Sequence, residues 1–339
     1  MVKTVVIGLG RMGMRHVQVA KDLGLDLIGV SDLLETAREQ AAADFGLSEK
    51  SLFEDAEAMI ESLKPQCVIV ATTAPSHADY VCLAAANDAE RVLCEKPMST
   101  SLDGCDRMIE ACKNSGTRLA VNHQMRFMEQ YTRAKEILSS EEFGGVSSVN
   151  VVAGNFGMAM NGIHYFEMFR YITDDKPVEV SAWFSDDNVP NPRGAQFEDK
   201  AGCIRITTLS GKRFYMDAGT DHGHGMFVTY AGPYGQLNVD ELSGQMNLAV
   251  RKPEHRKEPS TRYGMPWLQR DFEITPADSV APTRSVLSAL LNGEDYPAGD
   301  IGRIAVEILV AAYVSDENGG RTVDLRTETM PTDRIFPWA

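Results

Sequence analysis

The sequence predicts two domains of different class. Residues 1–122 read as an α/β domain with a doubly wound parallel sheet, and residues 123–339 as an α+β domain with an open, mostly antiparallel mixed sheet. Three observations predict this. Short β-branched runs alternate with helical patterns through residue 122. The first such run, Val5-Val6-Ile7, is followed at once by Gly8-Leu9-Gly10-Arg11-Met12-Gly13. Beyond Pro177 strands separated by turns replace the alternation.

In chain order, the first domain offers strands at Thr4–Ile7, Leu27–Ser31, Cys67–Ala71, Arg91–Cys94 and Arg118–Val121, with a short one at Ser51–Phe53. Helical patterns lie between them near 12–23, 35–44, 55–63, 76–88 and 101–115. Gly24, Gly46 and Gly116 stand where a helix-ending glycine belongs, and Asp55 and Ser101 suit helix N-caps. Strands spaced by helices of this length read as βαβ units.

In the second domain a helix is expected over Glu129–Ser140, a strand over Val146–Ala153 and a helix from Asn161 to Tyr171. Strands follow at Val178–Phe184, Ala201–Thr208, Arg213–Ala218, Met226–Ala231, Gln236–Val239 and Met246–Val250. Gly211-Lys212 and Gly232-Pro233-Tyr234-Gly235 mark turns between them. Apolar and polar residues alternate along these strands, as in a sheet with one wet face. Arg251–Arg262, of mixed charge, reads as a solvated loop, and helices near 281–291 and 300–315 and a strand at Thr322–Leu325 close the pattern.

The totals exclude several function classes. A net charge of −15 and a pI near 4.9 argue against nucleic-acid or anionic-membrane partners. No apolar run approaches a membrane span or a signal sequence, so a cytoplasmic protein is expected. Cys67, Cys82, Cys94, Cys105, Cys112 and Cys203 form no CxxC pair and read as reduced core thiols.

The glycine run has a physical reading. Gly8 permits the tight turn out of the strand, Gly10 lets a pyrophosphate approach the backbone, and Gly13 lets the first helix pack on the sheet. The helix N-terminus at Arg11 and Met12 offers N–H groups and a partial positive charge to phosphates. Asp32, at the end of the second strand, suits a ribose diol and repels a 2′-phosphate. NAD is therefore expected. NADP stays open through Arg38 on the next helix. Thr72 and Thr73, in Thr72-Thr73-Ala74-Pro75-Ser76-His77, follow a strand end where ligands bind in such sheets. Turn and cap chemistry explains the same residues.

Gly8–Gly13 with His16, Thr72–His77, Cys94-Glu95-Lys96-Pro97, the stretch 121–127 (VNHQMRF), the stretch 161–167 (NGIHYFE) and the late stretch 308–325 together resemble the Gfo/Idh/MocA family of NAD(P)-dependent oxidoreductases. The resemblance implies a Rossmann domain and hydride transfer with a sugar, cyclitol or related polyol. It also implies a homodimer or homotetramer built on the C-terminal sheet. It places Leu9, His77, Glu95 and Lys96 with the cofactor residues.

Oxidising a secondary alcohol needs a base for the hydroxyl proton. A lysine near a nicotinium charge and partly desolvated can release a proton near neutral pH. Lys96 is the candidate by its position at a strand end and by the family motif, and the Lys96–Pro97 bond is a candidate cis bond. His164 is the second candidate, to orient a substrate oxygen. Its i, i+4 spacing places it on one helical face with Met160 and Met168. A satisfied core histidine would give the same pattern. The family more often has Asp where Met160 stands. Asn122, Arg126 and Asn161 are candidate substrate contacts. No metal site is expected. Asp221-His222-Gly223-His224 reads as a polar loop. Tyr234, Tyr263 and Trp267 suit a pocket or a subunit contact. Two other functions fit the residues: a non-catalytic NAD(P)-sensing regulator, and a reductase of another carbonyl or an imine.

Overall fold

The computed structural model describes residues 1–261 and 263–339. Arg262, the last residue of the expected mixed-charge loop, lies outside the described residues. The chain divides into two compact units. One takes residues 1–124, 279–307 and 331–339, and the other takes residues 125–278 and 308–330. A single cut after residue 122 assigns the two later segments to the second domain. Chain contacts return them to the first.

The first unit is built on strands β1 (Lys3–Ile7), β2 (Asp26–Ser31), β3 (Leu52–Phe53), β4 (Cys67–Val70), β5 (Arg91–Cys94) and β6 (Arg118–Val121). They form a six-stranded sheet in the order β3-β2-β1-β4-β5-β6, every neighbour pair parallel. Order reverses between β1 and β4, the switch point where such sheets bind ligands outside their strand ends. Cys67–Val70 is buried at every position, as a strand covered on both faces requires.

Helices α1 (Arg11–Asp22), α2 (Glu35–Phe45), α3 (Ala56–Leu63), α4 (His77–Ala86) and α5 (Leu102–Ser115) supply the connections. The Asp55 side chain accepts from Glu57 and Ala58 N–H, and Ser101 Oγ accepts from Gly104 N–H at 3.0 Å, so both expected caps are formed. Gly116 ends α5 at φ +75°, a conformation costly to a residue with a Cβ. The free edge of β6 is covered from late in the chain: Ala120 bridges Ala298, and Val121 N–H donates to Pro297 O at 2.8 Å.

The second unit begins with α6 (Glu129–Ser139) and β7 (Ser148–Gly154). A π-helical turn (Met158–Gly162) leads into α7 (Ile163–Thr173), so helical structure starts three residues before the expected Asn161. Strands β8 (Pro177–Asn188), β9 (Lys200–Thr208), β10 (Arg213–Gly219), β11 (Phe227–Ala231), β12 (Gly235–Asp240), β13 (Gln245–Arg251) and β14 (Trp267–Glu273) follow. Helices α8 (Val280–Asn292) and α9 (Gly299–Glu317) and strand β15 (Val323–Asp324) complete the chain.

The second sheet is nine-stranded, ordered β14-β13-β12-β11-β7-β10-β9-β8-β15. Only the β7–β10 pair is parallel among its described neighbours. Strand β14 was not foreseen. Its side chains are almost all exposed, so its sequence lacks the one-sided apolar alternation that marks a half-buried strand. Trp267 lies on this edge strand, and Tyr263 is exposed just before it. Cys203 is a correction to the core-thiol reading: it faces out on β9, and its thiol donates to Asp217 Oδ1 at 3.2 Å. No helix among the described residues is long and apolar enough to cross a membrane.

Candidate active site

In the first unit the strand ends are joined at one edge of the sheet. Gly8 N–H donates to Ser31 O, Ala71 N–H to Ile7 O, Glu95 N–H to Val70 O and Asn122 N–H to Cys94 O, all within 2.9 Å. These bonds carry the loops after β1, β2, β4, β5 and β6 out of the sheet side by side.

The glycine loop has the tight turn expected at Gly8 and the close packing expected at Gly13. Gly8 has φ +87°, and a Cβ there would lie 2.8 Å from Ala71 and Thr72 main-chain atoms. A Cβ on Gly13 would lie 1.8 Å from Gly8 O, which leaves no room for a side chain between α1 and the loop. A Cβ on Gly10 would meet nothing within 4 Å, so the loop backbone faces open space there. Gly10 precedes α1 without a side-chain cap, and no acidic residue occupies the first turn. The amides of Arg11 and Met12 thus head a helix end of positive polarity.

Asp32 stands at the end of β2, half-buried. Its Oδ2 accepts from Leu9 N–H at 2.7 Å and its Oδ1 from Leu34 N–H at 2.9 Å. Each carboxylate oxygen has a second lone pair for a ribose hydroxyl. Asp32 is not the cap of α2, whose N-cap position is Leu34. Arg38 Nη1 donates to the Asp32 and Leu33 carbonyls at 2.7 and 3.2 Å, which anchors the guanidinium to the backbone at this corner.

Thr72 Oγ1 accepts from Ser76 at 2.8 Å, and Thr73 O accepts from the same hydroxyl at 3.1 Å. His77 is buried, with Nδ1 2.9 Å from Pro97 O and Nε2 3.1 Å from Thr72 O. A neutral ring can donate to only one of them. With the proton on Nδ1 it ties the loop after β4 to the loop after β5.

Lys96 follows β5 and is 9% exposed, and the Lys96–Pro97 bond is cis. Its neighbour Glu95 lies inside the fold. Glu95 Oε1 meets His16 Nε2 at 2.8 Å and Asn122 Nδ2 at 2.8 Å, and Oε2 accepts from Lys96 N–H at 3.3 Å. Burial pushes this carboxyl up. The hydrogen bond and charge of His16, the charge of Lys96 and the hydrogen bond from Asn122 outweigh that and hold it well below the usual carboxylate range. Asn122 is fully buried and serves as a strut: its amide nitrogen is on Glu95 and also 3.4 Å from Thr283 Oγ1. The C-terminal segment holds the next stretch of the loop, since Phe336 N–H donates to Thr100 O and Asp103 N–H to Thr332 O, both at 2.9 Å.

In the second unit Arg126, Asn161 and His164 gather around α7. His164 is 7% exposed, on the first turn of α7. Met168 lies one α-helical turn beyond it. The expected i, i+4 relation to Met160 does not hold, because Met158–Gly162 is a π-turn. Met160 and Asn161 are half-buried on that turn. Arg126 is buried, with Nε 4.0 Å from Glu167 Oε1 and its guanidinium 4.6 Å from the Tyr171 ring centre. Arg170 reaches the same Glu167 oxygen at 3.1 Å.

Two carboxylates in this unit were missed in the sequence. Asp199 accepts from Ala159 and Met160 N–H, both at 2.8 Å. Glu241, 3% exposed, accepts from the Tyr131 hydroxyl and, at 2.8 Å, from the Tyr165 hydroxyl. Burial pushes the Glu241 carboxyl up to about 7, against the lowering by its two tyrosine donors. Asp199 directly precedes β9 and Glu241 directly follows β12, positions where an acidic residue ordinarily faces water, so no local signal marks them. His222 Nδ1 lies 3.0 Å from Ala153 O. Among the described residues no group of three His, Cys, Asp or Glu side chains is placed to hold a metal.

The switch-point sheet, the glycine loop with its uncapped helix end, and Asp32 define a dinucleotide-binding protein of the Rossmann class, and the residues present fit NAD. Residues 2–123 match the family model Gfo/Idh/MocA, an oxidoreductase family with an NAD-binding Rossmann fold. Over these residues the chain is similar to that family's NAD-binding domain.

Relatives extend over nearly the whole chain. Inositol 2-dehydrogenase of Serratia proteamaculans is 24% identical over 331 residues, covering 92% of this chain and 94% of its own. D-apiose dehydrogenase of Paraburkholderia graminis is 24% identical over 354 residues, covering 96% and 90%. Among solved structures, an oxidoreductase from Agrobacterium radiobacter in complex with NAD+, L-tartaric acid and magnesium superposes with a TM-score of 0.79 at 20% identity. It covers 95% of this chain and 98% of that one. GenD2 from gentamicin A biosynthesis, in complex with NAD, has a TM-score of 0.75 at 23% identity, covering 96% of each. At these identities the solved structures establish the fold.

Proposed function

We propose that the protein transfers a hydride between NAD and a sugar, cyclitol or sugar-derivative hydroxyl or carbonyl, with Lys96 as general acid/base and His164 orienting the substrate oxygen. Bound NAD supplies the hydride acceptor or donor. The open backbone at Gly10 and the N–H groups at Arg11 and Met12 hold the pyrophosphate, and Asp32 holds the ribose diol. Thr72 and Thr73 border the same sheet edge.

Lys96 Nζ takes the hydroxyl proton in oxidation and returns it in reduction. The observation that carries this reading is the anchoring beneath Lys96. Glu95, held by His16 and Asn122, fixes the residue before it, and His77 holds the carbonyl of Pro97 after it. A long side chain on so rigid a base loses less freedom in reaching a reactive position. His164 and Asn161, on a π-turn and the helix start it feeds, supply neutral donors and acceptors suited to a hydroxyl-rich substrate. The two curated relatives, one named for inositol and one for D-apiose, favour the same substrate class.

Turnover is tested with NAD and NADP against cyclitols, aldoses and sugar acids, followed by Lys96→Ala. The reading expects NAD binding to persist and kcat to fall by about three orders of magnitude, the scale of general acid/base catalysis. Near-normal kcat in Lys96→Ala would remove Lys96 from the chemistry. NAD binding without turnover on any substrate would favour a sensor.

Self-association through the second sheet belongs to the same proposal. Trp183, Cys203, Asp217, Val152 and Phe227 are cross-strand neighbours in one row over β8, β9, β10, β7 and β11. Trp183, Val152 and Phe227 are 54%, 49% and 44% exposed, large apolar side chains in an exposed row that Asp217 interrupts. A second copy of the chain is the proposed cover.

A further inference from the structure

We infer that Asp199 is a positioning residue for substrate: it anchors the π-turn that presents Asn161 and His164. This rests on the assignment of those two residues to substrate above.

The first N–H groups of a helix have no partner within it. Here the residue at the N-cap position, Gly157, has no side chain to supply one. The acceptor comes from 40 residues further on. Asp199 Oδ1 takes the Ala159 N–H and Oδ2 takes the Met160 N–H, each at 2.8 Å. The carboxylate is 1% exposed, and its own carbonyl accepts from Val189 N–H at 2.8 Å. The side chain therefore projects from the base of the β8–β9 hairpin, where Asn188 pairs with Lys200.

Gly157 is shaped to admit it. A Cβ at Gly157 would lie 2.1 Å from Asp199 Cγ and 2.3 and 2.5 Å from its oxygens. Any side chain there must displace the carboxylate. The turn also has an unusual internal arrangement. Gly157 O accepts from both Asn161 and Gly162 N–H, each at 3.1 Å, so one carbonyl serves the α-type and the π-type bond. Such a bifurcated turn can relax toward an α-helical turn by losing the longer-range bond. That relaxation would rotate Met158–Gly162 relative to α7 and change where Asn161 points relative to His164. Two charge-assisted bonds to consecutive amides, from a carboxylate fixed to the sheet, set the position of the turn.

The test uses the full chain with its best substrate. Asp199→Asn keeps the shape but opposes an amide donor to one of two backbone donors. Gly157→Ala displaces the carboxylate from the other side. Both are expected to lower kcat/KM by about 10- to 100-fold, the scale set by misplacing a bound group. NAD affinity should stay within twofold, and hydrogen–deuterium exchange over residues 158–164 should speed up. In a His164→Ala background Asp199→Asn should add little further loss, because the two act through one geometry. If both variants exchange faster at 158–164 while kcat/KM stays within twofold, Asp199 is a helix cap alone and the inference fails. Unchanged exchange also overturns it. Faster exchange with full additivity to His164→Ala overturns the route through His164. A failure of the substrate assignment itself shows separately, as His164→Ala and Asn161→Ala leaving kcat/KM unchanged.

Discussion

His16 Nε2 and Glu95 Oε1 meet at 2.8 Å inside the first unit, both essentially buried. The contact joins α1, whose start carries the glycine loop, to the residue before Lys96. The helix that follows the glycine loop and the residue before Lys96 are thus linked through one hydrogen-bonded carboxylate.

Removing His16 takes a close donor from a buried carboxylate that Asn122 and Lys96 N–H still hold in part. His16→Ala is expected to cost about 3 kcal/mol, the scale of a broken buried pair. Glu95 has a lowered folded pKa, so its contribution is present above the ordinary glutamate value near 4.5 and fades as pH falls toward the folded one. The stability gap between the wild-type protein and Glu95→Gln, measured by urea unfolding, should therefore narrow below about pH 4.5. A gap that widens on acidification contradicts this.

Glu241 gives the opposite sign. Its folded pKa is near 7 against an ordinary 4.5, so between those values the folded chain binds more protons than the unfolded one. Stability should fall as pH rises from about 4.5 to 7, by on the order of 3 kcal/mol from this group. Glu241→Gln should flatten that slope in unfolding curves at pH 5 and pH 8. An unchanged slope would show that the carboxyl ionises freely in the fold.

Gly10 and Gly13 separate binding from packing. A Cβ at Gly10 meets open space, so Gly10→Ala should change stability by no more than about 1 kcal/mol while weakening NAD binding at least tenfold. A Cβ at Gly13 would lie 1.8 Å from Gly8 O, so Gly13→Ala should destabilise the unit by about 2 kcal/mol or more. Calorimetry on both variants distinguishes the effects. Equal destabilisation would mean that Gly10 also packs.

Asp32 should set the cofactor. Asp32→Ser removes the charge that repels a 2′-phosphate and leaves Arg38 beside the same corner. The ratio of kcat/KM with NADP to that with NAD should rise at least tenfold. No change would assign ribose recognition elsewhere.

Val152→Glu and Phe227→Glu place charges on neighbouring positions of the open sheet face. Sedimentation should show the wild-type protein as a dimer or tetramer and these variants shifted toward monomer. A monomeric wild-type protein would refute the association.

The first unit was legible in the sequence nearly element by element. Its strands and helices through residue 121 are short and bounded by local signals: Asp55 and Ser101 as caps, Gly46 and Gly116 as stops, and the glycine run at the switch point. Lys96 could be picked out by its place at a strand end and its neighbours. The roles of Glu95, Asn122 and His77 could not, because their partners lie 20 to 79 residues away in the chain.

Local periodicity and turn chemistry act over a few residues, and those are what a sequence displays. They determined most of the strand and helix order of this protein, the glycine loop and the place of Lys96 at a strand end. Only the tertiary structure decided that residues 279–307 and 331–339 return to the first unit, that Trp267–Glu273 is an edge strand, and that a π-turn begins three residues before Asn161. It also decided where the buried carboxylates go. Asp199 reaches a helix start 40 residues before it, and Glu241 meets hydroxyls from α6 and α7. A buried charge must find its donors wherever the fold brings them, and that requirement leaves no spacing in the chain to read.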